Sequence, residues 1–119
     1  MVAKSRASDL ADHYIAVLSD WAAVTRRPLF GAIALRRNGL VFGMIWEVGL
    51  YFKTDEKSVK PYDAAESGKL RYTDHDGRSQ ALRSYAAVPA DVAEDDDELR
   101  RWVETAYKVA LSAARPSSE

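Results

Sequence analysis

The chain of 119 residues contains no cysteine. This absence excludes disulfide bridges, cysteine nucleophiles and metal sites with thiolate ligands. No apolar run approaches the roughly 18 residues that a membrane-spanning helix needs, and the polar start MVAKSRASDLADH lacks the apolar centre of a signal peptide. We therefore expect one cytoplasmic domain over residues 1–119, with an ordered core over about residues 8–114 and tails at 1–7 and 115–119.

Residues and motifs that carry catalysis are also scarce. The two histidines, His13 and His75, each lie among aspartates, which is more typical of a solvated helix face or turn than of a metal site. The sequence has no glycine-rich loop with the spacing that cradles phosphate and no Gly-x-Ser-x-Gly motif. We therefore expect no catalytic residues, no metal and no cofactor, although catalytic groups also assemble from positions far apart in sequence.

Charge is unevenly distributed, although the net charge is only -1. Residues 1–60 hold nine Lys/Arg and six Asp/Glu, whereas residues 61–119 hold eight and twelve. The basic excess comes largely from the doublets Arg26-Arg27 and Arg36-Arg37, and the acidic excess from Glu94–Glu98. A net charge near zero argues against a protein that binds nucleic acid over its whole surface, but it leaves room for a small basic face.

Helical periodicity occurs at both ends of the chain. Apolar spacing predicts a first helix over about residues 9–21, with Ser8 as its N-cap. A final helix is predicted to run to about Ala114, with Asp95 as N-cap and Glu98 as the acid that reaches back to the cap. The apolar face of this final helix comprises Leu99, Trp102, Val103, Ala106, Ala110 and Ala113.

The stretch from residue 29 to residue 53 has the pattern of antiparallel strands. The apolar run 29–35 meets Asn38-Gly39, the strongest short signal for a hairpin, and further strands are predicted over 40–46 and 50–53. Strands joined by such short turns are antiparallel neighbours, because parallel pairing needs a long crossover. The strands are interrupted by Gly31, Gly43 and Gly49, which indicates bulges or close backbone approach.

The second half of the chain adds a short helix and two more strands. Asp55 is predicted to cap a helix over about residues 56–66, which starts late or breaks at Pro61. Strands follow over 70–73 and 80–88. The order α-β-β-β-α-β-β-α predicts an α+β fold with a five-stranded antiparallel sheet.

The candidate binding residues are Arg26, Arg27, Arg36 and Arg37. Arginine forks onto phosphate or carboxylate groups, so a basic patch here would bind an acidic partner. The alternative is that these side chains are solvated residues at the two ends of a strand. Two interpretations are also open for the aromatic residues of the strands. If they are exposed, they form a sheet face that binds apolar partners or stacks on bases; if they are covered, they belong to the core. They are Trp46, Tyr51, Phe52, Tyr72 and Tyr85.

Three segments, taken in order, resemble the N-terminal domain of the TfoX/Sxy family. They are Arg27-Pro28-Leu29-Phe30-Gly31, Asn38-Gly39-Leu40-Val41-Phe42 and Leu50-Tyr51-Phe52-Lys53. The family pattern runs Arg-x-Met-Phe-Gly-Gly, then a turn and a Met-Phe strand, then Leu-Tyr-x-Lys. Leu29 and Ala32 replace the usual Met and second Gly, and the resemblance covers about residues 9–113.

The resemblance implies a two-layer α-β3-α-β2-α fold similar to that of type III secretion chaperones. It also implies a regulatory function without established catalytic residues, because family members regulate DNA uptake through the cyclic-AMP receptor protein. We therefore expect a small regulatory or protein-interaction domain, linked to transcriptional regulation or DNA uptake, whose partner is a protein such as a transcription factor.

Two alternative functions and the oligomeric state stay open at this point. The first alternative is nucleic-acid binding through the four arginines, and the second is small-molecule binding in a pocket between sheet and helices. We expect a homodimer in preference to a monomer, because helices on one face of a sheet leave aromatics on the other. No contact with a membrane is expected.

Overall fold

Six strands and four α-helices make up the part of the chain that the computed structural model describes, residues 6–29, 32–47, 49–73, 77 and 79–114. The strands are β1 Thr25–Leu29, β2 Ala32–Arg37, β3 Leu40–Trp46, β4 Gly49–Lys53, β5 Lys69–Thr73 and β6 Ser79–Ala87. The helices are α1 Arg6–Val17, α2 Lys60–Ala64, α3 Ala90–Ala93 and α4 Asp96–Ala114, with a 3-10 turn over Leu18–Asp20. The strands form one antiparallel sheet in the order β1-β2-β3-β4-β6-β5.

The helices of the described ranges pack on one face of the sheet. Helix α4 lies across β3 and β4, and α1 lies against β2 and β3. The main hydrophobic core fills the space between these two layers. Its largest fully buried side chains are Phe42, Phe52, Leu35, Ile45, Leu99 and Val103. Within these ranges, no helix combines the length and the apolar character needed to cross a membrane.

The predicted α+β class and antiparallel sheet are confirmed, and the structure adds a sixth strand. The run predicted as one strand over 29–35 belongs to both β1 and β2, which pair with Leu29 opposite Ala32 and Thr25 opposite Arg36. Strand β1 lies at the edge of the sheet. An edge strand accepts Pro28, because proline has no backbone N–H to donate to a second neighbouring strand. Two arginines and a proline give β1 no apolar alternation, which is why the sequence did not show it as a strand.

The hairpin predicted at Asn38-Gly39 is confirmed. Both residues have positive φ, 52° and 79°, and they join β2 to β3. Beyond the turn the register shifts, because Arg36 lies opposite Val41 and Leu35 lies opposite Gly43. Phe42 is therefore the extra residue of a β-bulge, and its side chain enters the core.

Two of the three strand glycines lie where the backbone is closely approached, as predicted. A Cβ atom added to Gly43 would lie 2.9 Å from the carbonyl oxygen of Tyr51. A Cβ atom added to Gly49 would lie 3.0 Å from Cε1 of the Tyr51 ring. The third glycine, Gly31, lies outside the described residues.

The helix starts differ from the predicted ones in two places. Helix α1 begins at Arg6, so Ser8 lies in its first turn rather than at the N-cap, and the Ser8 hydroxyl instead accepts a hydrogen bond from Arg26 at 2.8 Å. Helix α2 covers only Lys60–Ala64, with Pro61 in its first turn as a late start requires. The Asp55 carboxylate still caps a turn, because it accepts from two backbone N–H groups, those of residues 57 and 58.

The start of α4 confirms one half of the predicted capping pair. The Asp95 carboxylate accepts hydrogen bonds from the backbone N–H groups of Asp97 at 3.0 Å and Glu98 at 3.1 Å. The predicted return contact from Glu98 is wrong, because its carboxylate binds the Arg101 guanidinium at 2.8 Å. Glu98 forms an ion pair with Arg101, one turn further along the helix. This ion pair competes with the hydrogen bond that the Glu98 carboxylate would accept from the backbone N–H of the N-cap residue.

Tyr62 of α2 gives the fold a defined response to alkaline pH. Its ring packs edge-on against Trp102 of α4, with centroids 4.7 Å apart, and burial raises the pKa of Tyr62 above its usual value of 10.0. The folded state therefore holds the neutral phenol, so stability is full below pH 10 and falls above it as the unfolded chain ionises. We expect Tyr62→Phe to lessen the drop in Tm that the wild type shows above pH 10, measured by circular dichroism. An identical drop in both proteins would contradict this account.

Candidate binding face of the sheet

The face of the sheet opposite the helices carries a second, smaller apolar cluster. In the described part of the chain, this cluster consists of strand residues alone. Met44 and Tyr85 are buried, and Val41, Trp46 and Tyr51 pack against them while staying partly exposed. We call this surface the open face. It comprises these five residues together with Arg27, Ala34, Arg36, Lys53 and Ala87.

One row of side chains crosses five strands on the open face. The register places Arg27 opposite Ala34, Ala34 opposite Met44, Met44 opposite Tyr51, and Tyr51 opposite Ala87. Residues that lie opposite one another in antiparallel strands point to the same side of the sheet. The row therefore forms an apolar strip with a cation at its β1 end.

Gly49 shapes the centre of the open face. It lies opposite Trp46, and the Tyr51 ring occupies the space that a side chain at position 49 would need, because an added Cβ atom would lie 3.0 Å from Cε1. Because glycine has no side chain, the Tyr51 ring can lie close to the backbone of the sheet. Tyr51 and Trp46 therefore form a flat aromatic surface. Burial, and then the charge of Glu47, raise the pKa of Tyr51.

Strand alternation sends one arginine of each doublet toward the helices. Arg26 lies opposite Leu35, a core residue, and thus points to the helix side. Its guanidinium donates to the Asp12 carboxylate at 2.6 Å and to the Ser8 carbonyl at 3.1 Å, which ties β1 to α1. Arg26 is therefore committed to contacts within the chain.

Arg37 is committed in the same way. Its guanidinium carbon lies 4.5 Å from the centroid of the Trp21 ring and 4.6 Å from that of Tyr107. The two rings are fixed by hydrogen bonds, from Trp21 Nε1 to Glu104 at 2.7 Å and from Asn38 Nδ2 to the Tyr107 hydroxyl at 3.1 Å. This arrangement links the hairpin to α4 through two cation–π contacts.

The other arginine of each doublet lies on the open face. Arg27 is exposed, and Arg36 is half-buried with a buried Nε–H that has no hydrogen-bond partner. Within the described residues, neither guanidinium has a carboxylate at ion-pair distance. The structure thus brings together Arg27 and Arg36, and it places Arg26 and Arg37 on the opposite side. A third cation of the open face, Lys53, lies 5.2 Å from the centroid of the Tyr85 ring.

The second doublet provides a matched pair of substitutions that tests this division. We expect Arg37→Met to lower the free energy of unfolding by about 1–2 kcal/mol, because it removes both cation–π contacts. We expect Arg36→Met to change it by less than about 0.5 kcal/mol, because the methionine keeps the apolar stem and removes an unsatisfied donor. Urea denaturation of both variants measures the difference. Equal losses would contradict the assignment of the two side chains to opposite faces.

The remaining sequence candidates do not add to this site. His13 is exposed on α1 with its ring against Tyr14, and His75 lies outside the described residues. No group of three or more potential metal ligands occurs among the residues that the structure describes. Of the aromatic residues in the strands, Phe52 is in the core, and the side chain of Tyr72 is not among those that the structure describes.

A separate, open cleft of about 280 Å³ lies on the helix side, between α4 and the turn that follows β4. Its lining includes Lys57, Lys108, Ser58, Thr105 and Asp55. One Asp55 oxygen is already occupied by the two backbone N–H groups. Small-molecule binding stays a prediction, and this cleft is one place where it can be examined.

Comparison with known proteins agrees with this architecture. The family model for the TfoX N-terminal domain matches residues 16–110. The chain belongs to the TfoX N-terminal domain family. All six strands and most of α4 fall within the matched range, so the open face is part of the TfoX domain itself. No curated protein matches the chain. Family membership supports a regulatory or DNA-uptake-related domain and specifies no partner.

The sequence of this TfoX domain left open which strand aromatics face away from the helices. The sequence left two alternatives for Trp46, Tyr51 and Tyr85, an exposed sheet face or a covered core, and in the structure they lie together on the face away from the helix layer. Their alternation with the core residues Leu50 and Phe52 is the signal that separates the two faces. That signal becomes usable only when the register between strands is known.

Proposed function

We propose that this TfoX N-terminal domain is a regulatory interaction domain that binds a protein partner through the open face of its sheet. The observation that carries the proposal is the second apolar cluster, in which partly exposed Trp46, Tyr51 and Val41 surround buried Met44. Aromatic side chains and arginines are enriched in protein interfaces, and this face has both. The family resemblance supports a link to transcriptional regulation or DNA uptake.

Nucleic-acid binding is the second candidate, and a single observation favours it: among the described residues, Arg27 and Arg36 lie on the same face with no carboxylate at ion-pair distance. Two arginines can neutralise only a few phosphates, and the net charge of -1 gives the chain no general attraction for nucleic acid. The other two arginines contribute to the fold instead, through Asp12 and through the rings of Trp21 and Tyr107. The protein partner is therefore the better-supported proposal.

Site-specific photo-crosslinking tests the proposed function. A benzophenone amino acid replaces Trp46 on the open face in one variant and Leu111, an exposed residue of α4, in the control variant. Each variant is irradiated in cells that carry the native gene. We expect protein adducts from position 46 only. An absence of protein adducts at position 46, or the same adducts from both positions, would contradict the proposal. An adduct of twice the chain's mass would identify a second copy as the partner.

A further inference from the structure

The open face carries positive charge that the described part of the chain does not neutralise. Arg27 stands at the β1 end of the apolar row, and Arg36 lies on the neighbouring strand, two residues beyond Ala34, the partner of Arg27. On the same side of the row as Arg36, Lys53 lies opposite Tyr85. The acid that we identify beside this face is Glu47, in the turn after β3, whose charge contributes to the raised pKa of Tyr51. Arg27, Arg36 and Lys53 thus place three positive charges beside the apolar row.

Arg36 adds an unsatisfied donor to this charge. Its Nε–H is shielded from solvent and has no hydrogen-bond partner in the part of the chain that the structure describes. A buried donor without a partner costs free energy, so Arg36 gains free energy if its half-buried side chain turns to bring this N–H to an acceptor. Arginine binds a carboxylate with two parallel N–H groups, and in the side-on geometry one of them is Nε–H. The acceptor that fits this position best is therefore a carboxylate.

We propose that the partner's contact segment is acidic, with an apolar or aromatic side chain that lies on Trp46 and Tyr51 and carboxylates that bind Arg36 and Arg27. This inference rests on the proposed function and specifies the chemistry of the partner. The segment's apolar side chain covers the flat aromatic surface beside Gly49. Its carboxylates neutralise the cations, which raises the association rate and sets the register.

Two other occupants fit the face less well. A second copy that docks face to face by two-fold symmetry contributes the same patch again, so one interface gathers the positive charge of Arg27, Arg36 and Lys53 from both copies. A nucleic acid depends on many phosphate contacts, yet this face offers three cations and the net charge of the chain is -1. An acidic polypeptide meets neither obstacle.

Selection from a random dodecapeptide library displayed on phage tests the inference with the purified full chain. We expect enrichment of peptides in which Asp or Glu flanks an aromatic or large apolar residue. The best peptide is then synthesised, and its Kd is measured by fluorescence anisotropy at low and high salt. We expect Arg27→Glu/Arg36→Glu to raise the Kd about tenfold or more, and high salt to weaken binding because exposed charges are screened.

Two further variants separate charge from folding. Lys60→Glu/Arg100→Glu makes the same change in net charge at exposed positions of the helix layer, and we expect its Kd to stay within about twofold of the wild-type value. Arg36→Met keeps the apolar stem and removes the guanidinium, so it weakens peptide binding even if the charge reversal unfolds the domain. Circular dichroism confirms that each variant is folded.

The outcomes distinguish the inference from the proposed function. Enrichment of uncharged apolar peptides that Trp46→Ala abolishes would overturn the acidic partner and leave the open face as a protein-binding surface. An absence of enriched peptides would overturn the inference, and the crosslinking result at position 46 would then decide the proposed function alone. Tight binding of a DNA or RNA oligonucleotide that Arg27→Glu/Arg36→Glu abolishes would overturn the acidic polypeptide in favour of nucleic acid. Sedimentation as a dimer that the same variant dissociates would show a second copy as occupant.

Discussion

Replacing Phe42 with alanine is expected to remove much of the domain's stability. Phe42 is fully buried, and its ring lies between Trp21 and Phe52, with centroids 5.5 Å and 6.3 Å away. The truncation leaves a cavity at the β-bulge, where the backbone is held by three strands and collapses poorly. We expect the free energy of unfolding to fall by about 3–5 kcal/mol, measured by urea denaturation.

Two variants provide the comparison for Phe42→Ala. Leu111→Ala removes an apolar side chain from the exposed side of α4, and we expect a change within about 0.5 kcal/mol. Phe42→Leu keeps most of the volume and is expected to recover a large part of the loss. A loss below about 1 kcal/mol for Phe42→Ala would contradict the position of this ring in the core.

Gly43→Ala is the second substitution with a large expected effect. The new Cβ atom would lie 2.9 Å from the Tyr51 carbonyl oxygen and 3.1 Å from Cδ1 of Phe52. The nearer atom belongs to the backbone of a central strand, so the clash is relieved only by moving β3 relative to β4. We expect a loss of about 2–3 kcal/mol in the free energy of unfolding, again from urea denaturation.

Gly68 provides the matched control for this glycine substitution. A Cβ atom on Gly68 would have no heavy atom within 4 Å. Alanine there is expected to leave stability unchanged or slightly raised, because it restricts the unfolded chain. If Gly43→Ala and Gly68→Ala have the same effect, the close approach of β3 and β4 at Gly43 is contradicted.

The hairpins could be predicted because their signals are local. Asn38-Gly39 encodes a turn in which both residues have positive φ, and a turn of that type pairs its flanking residues directly. The cap at Asp95 is local in the same sense, because the carboxylate meets N–H groups only two and three residues away. Local rules therefore gave the order of most elements correctly.

The sixth strand could not be predicted because its stability comes from pairing. Strand β1 contains Arg26, Arg27 and Pro28 and shows no apolar period of its own. It is a strand because β2 supplies the ladder and α1 supplies acceptors for Arg26. Contacts that join residues far apart in sequence leave no short pattern to detect.

The incorrect limits of the first predicted strand also prevented a prediction of how the four arginines are arranged. With the first strand placed at 29–35, both doublets lay outside it, at its two ends, and their side chains had no assigned direction. With β1 at Thr25–Leu29 and β2 extended to Arg37, period-two alternation sends Arg26 and Arg37 to the helices and Arg27 and Arg36 to the open face. The sequence holds this information, but it becomes accessible only after the strand limits are correct.

The three tryptophans allow the central claim to be tested in one titration. Trp46 lies on the open face, whereas Trp21 and Trp102 pack against the main core on the helix side. The measurement is the shift of the three indole N–H signals of the ¹⁵N-labelled chain as the selected acidic peptide is added. The account predicts that the Trp46 signal moves while those of Trp21 and Trp102 stay in place. Movement of the Trp21 or Trp102 signal with Trp46 unchanged would contradict it.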